Sequence, residues 1–202
     1  MRMAKLAGLI VAMLALPALA AIPGNGGPYN ARFTADGGGL ARTLEGAEEL
    51  VAAGARYGIS GWVRPDAKPA GMAMLIVLGD EAGKCRCLAI HQGYPMVLDG
   101  PTTITARKRL AAGKWTHVAM VSDGATLRLY VGGKLAGSTP IRSGPVPARI
   151  ALAPRLAGFA HFGGAIAGAT VDGVAPTEAE VAAAAAAAPD FAAITGWLGA
   201  DS

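Results

Sequence analysis

The chain is 202 residues long, 52% hydrophobic and 16% charged, with a formal net charge of +4. That length suits one domain with a sizeable core. Arg2 and Lys5 fall in an N-terminal leader, so 4 minus 2 leaves +2 on the remainder, whose basic residues are scattered; this excludes an electrostatic nucleic-acid interface.

Met1 to Ala20 sets Arg2 and Lys5 before an apolar run from Leu6 to Leu16, followed by Pro17 and the small-residue site Ala18-Leu19-Ala20. This is the layout of a secretory signal peptide cut before Ala21. An uncleaved membrane anchor is the alternative, but the run is short for a span and Pro17 breaks it. The expected location is therefore secreted or periplasmic, with no membrane contact after cleavage. Residues 21–30 read as a flexible Gly/Pro/Asn leader, residues 31–188 as one sandwich domain, and residues 189–202 as a tail or linker.

Ala31 to Thr34 can make a first strand, ended by Asp36-Gly37-Gly38-Gly39. Leu44 to Ala53 is ambiguous between helical spacing and a short strand near Leu50 to Ala52. Tyr57–Arg64, Met72–Leu78, Cys85–His91, Tyr94–Leu98 and Thr102–Ala106 are short apolar or β-branched runs with Gly- or Pro-bearing turns between most of them, as are Arg149–Ala153 and Gly164–Asp172. Arg107-Lys108-Arg109 is most simply a solvated turn.

The most informative stretch is Lys114 to Lys134. If Asp123-Gly124 is a two-residue type I′ loop, Ser122 faces Ala125, Ala119 faces Arg128 and His117 faces Tyr130. Thr116, Val118, Met120, Leu127, Leu129 and Val131 then share a core face. Trp115, His117, Ala119, Arg128 and Tyr130 share the other, which is either a second packing surface or a binding surface. Gly132-Gly133 offers another tight turn. Thr177 caps the one expected helix, with Glu180 as capping-box partner and Pro189 as its stop. Phe191, Ile194, Trp197 and Leu198 follow at helical spacing, either docking on the sandwich or opening a linker to a partner domain or protein.

Trp115-x-His117-Val118-Ala119, Asp123-Gly124 and Leu129-Tyr130-Val131-x-Gly133-Lys134 together resemble the core of the laminin-G-like, concanavalin A-like lectin/glucanase superfamily. Tyr57 to Pro65 is similar to that family's early strand with its tryptophan, and Phe162 to Val181 to its closing strand and following helix. The resemblance spans Arg32 to Ala188. It implies an all-β fold: a two-sheet antiparallel jelly-roll sandwich with one C-terminal helix. The superfamily holds sugar binders, adhesion modules, glycosidases and silent accessory domains, so function must be argued from the site.

Catalysis finds little support. The superfamily's glucanases carry a Glu-x-Asp-x-x-Glu strand, and no such run exists here. His117 belongs to the structural signature, and a packed or tyrosine-bonded role suits it better than general base. No catalytic residue is assigned. Cys85 and Cys87 would point to one strand face about 7 Å apart, awkward for a disulfide, so two buried small apolar residues are expected, with a distorted bridge as the alternative. No calcium motif can be carried over, and no metal or cofactor is assigned, although Asp80, Glu81 and Asp99 could converge on folding.

Glycan recognition needs aromatic platforms and planar polar groups. Asparagine occurs only at Asn25 and Asn30 and glutamine only at Gln92. A site would rely on His91, Gln92, Tyr94, Arg128 and Tyr130, with loop aspartates such as Asp80 or Asp99. Three functions follow: an exported non-catalytic carbohydrate-binding module, working beside a glycoside hydrolase and binding a polysaccharide or glycan; an accessory or protein-interaction domain that binds no sugar; and a small glycosidase.

Overall fold

The computed structural model describes residues 29–33, 39–43, 52–79, 84–141, 144–154, 158–194 and 197. Twelve strands and one helix follow in order among them: β1 (Tyr29–Phe33), β2 (Leu40–Thr43), β3 (Tyr57–Pro65), β4 (Met72–Gly79), β5 (Cys85–His91), β6 (Tyr94–Asp99), β7 (Thr102–Thr105), β8 (Thr116–Ser122), β9 (Thr126–Val131), β10 (Lys134–Pro140), β11 (Arg149–Leu152), β12 (Gly164–Asp172) and α1 (Glu178–Ala186). They build two six-stranded sheets, β1-β12-β3-β8-β9-β10 and β2-β11-β4-β5-β6-β7. Every strand pairing is antiparallel. The expected all-β sandwich is the observed one, and seven of the expected strands end within one residue of their predicted bounds.

Period-two alternation makes the layers. Ile59, Val118, Met120, Leu127 and Leu129 from the first sheet meet Ile76, Leu78, Leu88, Ile90 and Val97 from the second, all essentially excluded from water. Fully burying each such side chain is worth about 1.5–3 kcal/mol, so this interlayer is the main source of stability. On the outer face of the second sheet, Met74, Val77, Cys87, Ala89, Met96 and Ala151 form a separate apolar cluster against which Phe159 packs.

The β8–β9 hairpin keeps its expected faces but not its register. Ser122 pairs with Leu127, Val121 with Arg128 and Ala119 with Tyr130, a slip of two residues, so side-chain parity survives. The loop is longer than the expected pair because Asp123 caps it: its Oδ1 accepts from Ala125 N at 3.0 Å and Thr126 N at 2.8 Å. True two-residue turns, with positive φ at both positions, occur at Gln92-Gly93 and Gly132-Gly133. Those amide bonds, with an ion pair to Arg128 at 2.8 Å, lower the Asp123 pKa from 3.8 to about 2. A depressed carboxylate stabilises above its unfolded pKa and loses that contribution as pH falls toward its folded one. Asp123→Ala is therefore expected to flatten the acid limb of stability between about pH 4 and 2, by less than about 1 kcal/mol because solvent screens the pair. Acid titration followed by tryptophan fluorescence measures this.

Two boundaries differ from expectation. β1 begins at Tyr29 rather than Ala31, because Tyr29 is buried and Asn30 Oδ1 accepts from Gly168 N at 2.8 Å. The N-terminal pair of that strand is thus anchored, not part of a flexible leader. α1 opens as expected, Thr177 accepting from Glu180 N and Glu180 reaching back to Thr177 N. It ends at Ala186, before the expected Ala188, since Pro189 disfavours helical geometry in the residue before it. Within the tail, residues 191–193 form a turn opened by Asp190. The expected signal peptide, the short strand near Leu50, Asp80, Glu81 and Leu198 lie outside the described residues.

Candidate functional site

The β5–β6 hairpin ends in a tip where several polar groups meet. His91 pairs with Tyr94 across Gln92-Gly93. His91 and Gln92 are exposed and Tyr94 is half-buried. Backbone bonds hold the tip from three sides: Gln92 N donates to Gly71 O, Leu110 N to Gly93 O, and Ala106 N to Pro95 O. The Arg109 guanidinium lies 4.7 Å from the centre of the Tyr94 ring. A Cβ on Gly93 would touch both the Arg109 and Lys68 stems, so these two side chains flank the turn. The rim thus offers one aromatic ring, an amide, an imidazole and two cations. Sequence pattern marks Arg109 as part of a solvated turn and gives no sign of Lys68; residues 107–109 are indeed exposed. Only the return of the chain after β7 shows that Arg109 covers Tyr94.

The other expected site residues do not join them. Arg128 and Tyr130 lie on β9, in the opposite sheet. Arg128 is engaged by Asp123. Tyr130 is only 3% exposed, packed with Ala119 and Val121 beneath Val181 of α1, and burial raises its phenol pKa. The helix therefore makes this face a second packing surface. Asp99 is no rim ligand either, being 1% exposed and accepting a 2.6 Å hydrogen bond from the Tyr57 hydroxyl. Desolvation, then the neighbouring Asp99, push the Tyr57 pKa well up, so it remains a donor.

His117 does not face Tyr130. It pairs across strands with Trp62, whose ring meets the imidazole edge-on at 5.5 Å. Burial lowers the His117 pKa, leaving the ring neutral at pH 7, and its buried Nδ1 has no hydrogen-bond partner. Beside it, the Ser60 and Thr170 hydroxyls lie 3.0 Å apart. A cavity of about 250 Å³ opens here between α1 and the outer face of the first sheet. Desolvation raises the pKa of Asp172 at its edge, opposed by a hydrogen bond with Thr170. Further along the same face Phe191 lies flat on Trp115 (4.2 Å, 8°), Trp197 stacks on Trp115 at 6.3 Å, and Arg32 covers Trp197 at 4.4 Å. The tail therefore docks on its own sandwich.

The two cysteines form no disulfide, and their sulfurs lie 3.9 Å apart, within hydrogen-bonding reach and closer than the expected 7 Å. Hydrogen bonding to Cys85 and burial raise the Cys87 pKa, so it stays protonated. Among the described residues no group of three His, Cys, Asp or Glu side chains could hold a metal.

The model of the concanavalin A-like lectin/glucanases superfamily matches residues 36–182. The chain belongs to that family. No curated protein sequence matches it. Among solved structures, it resembles the CBM40 of Ruminococcus gnavus IT-sialidase bound to α2,3-sialyllactose (TM-score 0.64, 16% identity, 78% of this chain and 96% of that one). It also resembles domain 4 of AbnA, a GH43 extracellular arabinanase from Geobacillus stearothermophilus, in complex with arabinotriose (0.56, 20%, 77% and 86%). A third similar structure, a putative carbohydrate binding protein from Bacteroides ovatus, is matched over 76% of this chain and 46% of its own length (0.58, 18%). At these identities the likeness concerns the fold.

Proposed function

We propose that this superfamily member is an exported, non-catalytic carbohydrate-binding module whose glycan seats on the β5–β6 rim. The observation that carries this reading is the Tyr94 ring, held by Arg109 beside exposed His91 and Gln92. A sugar ring stacks on an aromatic face while planar amide and guanidinium groups fix its hydroxyls, and this tip supplies both. Two similar folds are domains solved with oligosaccharides, which supports the same use here. The signal-like leader agrees with work outside the cytoplasm, secreted or periplasmic, beside an enzyme acting on the same polysaccharide. A partner domain docking through the tail is the weaker alternative, since Phe191 and Trp197 are already stacked on Trp115.

The test is calorimetric titration of the purified protein with arabinotriose and α2,3-sialyllactose, after a glycan-array screen to widen the set. Tyr94→Ala and Arg109→Ala are each expected to weaken binding by about tenfold or more, a loss of about 1.4 kcal/mol. Binding that both variants leave untouched would move the glycan off the rim. A screen with no binder at all would sink the carbohydrate reading.

A further inference from the structure

We propose that the cavity beneath α1 is a second binding site, separate from the rim, for one small uncharged hydroxyl-bearing molecule about the size of a single pyranose ring.

His117 is the starting point. It is 4% exposed, lines the cavity, and its Nδ1 is buried without a hydrogen-bond partner. Its neutral imidazole, packed edge-on against Trp62, presents a polar but uncharged wall to whatever fills the space. The Ser60 and Thr170 hydroxyls line the same space, each with hydrogen-bonding capacity beyond their mutual 3.0 Å bond. Val181 and Ala184 from the helix supply an apolar roof. Polar groups on the sheet and aliphatic groups above form the two-sided lining that suits a sugar or polyol.

Charge and size narrow the class. The titratable lining groups besides the neutral His117 are Asp172 and Glu180, and no lysine or arginine lines the cavity. An anionic ligand would meet carboxylates with no compensating cation, so uronates and sialic acids suit the rim, not this site. A volume of about 250 Å³ far exceeds the ~10–15 Å³ needed for one water. It falls just below the ~300 Å³ at which drug-sized pockets begin, which favours one ring over an oligosaccharide.

The chain contains three histidines, so its imidazole nitrogens are resolvable by NMR after ¹⁵N-histidine labelling. We expect the His117 imidazole resonances to move saturably when the protein is titrated with methyl β-galactopyranoside, methyl α-glucopyranoside, myo-inositol or glycerol, while His161 stays fixed and any movement of His91 reports the rim separately. Ala184→Phe, which places a ring over the cavity from the exposed side of the helix, is expected to weaken that response about tenfold or more, and Ser60→Ala to weaken it by a few-fold. Arg109→Ala should leave it unchanged, so failure here and failure at the rim are distinguishable. A His117 resonance unmoved by every neutral probe, with water alone filling the cavity, overturns the proposal. So does a shift that survives Ala184→Phe, or a stronger response to glucuronate than to the neutral sugars.

Discussion

Asp99→Ala is expected to destabilise the protein by about 3–5 kcal/mol. Asp99 sits directly across the β5–β6 ladder from Arg86, and both are fully buried in the interlayer. The Arg86 Nε lies 3.5 Å from Asp99 Oδ2, and its Nη2 donates to Ala52 O at 2.6 Å and Gly144 O at 2.9 Å. Its guanidinium covers the Tyr57 ring at 4.8 Å, and the Tyr57 hydroxyl closes the group on Asp99. Removing the carboxylate takes an ionic partner from a buried cation, and it also strips the phenol of its acceptor. The penalty comes from a buried charge losing its carboxylate rather than from the worth of the pair, which sets up a sharper comparison. Replacing the whole group, Arg86→Met with Asp99→Leu and Tyr57→Phe, is expected to recover most of the loss, because hydrophobic groups of similar volume avoid the desolvation of two ions. Urea midpoints for the parent, the single variant and the triple variant decide it. A single variant within about 1 kcal/mol of the parent would show that water reaches Arg86 and that the site is not dry.

That network marks the limit of what pattern reading reaches. Strand positions were legible because each is a short apolar run closed by a turn residue, and the Thr177–Glu180 capping box because its two residues sit three apart in sequence. Face assignment on β8 and β9 survived a two-residue slip because parity is unaffected. The Arg86–Asp99 pair is legible from register alone. Counting back from the Gln92-Gly93 turn pairs His91 with Tyr94 and, five residues on, Arg86 with Asp99. Opposite charges facing one another among Leu88, Ile90 and Val97 signal a buried pair. What local pattern could not supply was any contact set by a distant segment. The face bearing Tyr130 reads as either a packing or a binding surface, and only α1, some fifty residues later, decides for packing. Tyr94 was read without Arg109, and Trp115 without Phe191.

Gly133→Val is expected to cost about 2–4 kcal/mol and to release α1 while the two sheets persist. Gly133 is the second residue of the β9–β10 turn, at φ +75°, a conformation that a β-branched residue adopts only under strain. The side chain would also point at the helix: even a Cβ there meets Ala185 Cβ at 2.9 Å and Ala182 Cα at 3.1 Å. Alanine-rich α1 carries almost no large side chains and buries only Val181, so its seat depends on backbone approach to a turn with no side chain. Few apolar contacts hold it, and a displacement of a few tenths of an ångström at Gly133 is therefore enough to lift its C-terminal half. Amide hydrogen exchange separates the two costs. Strain confined to the turn would leave protection in residues 181–186 intact, whereas helix release removes it, exposes Tyr130, and opens the cavity lined by His117. Because that helix is the cavity's roof, the same substitution is expected to abolish the response of His117 to neutral sugars, tying the packing of one glycine to the chemistry beneath the helix.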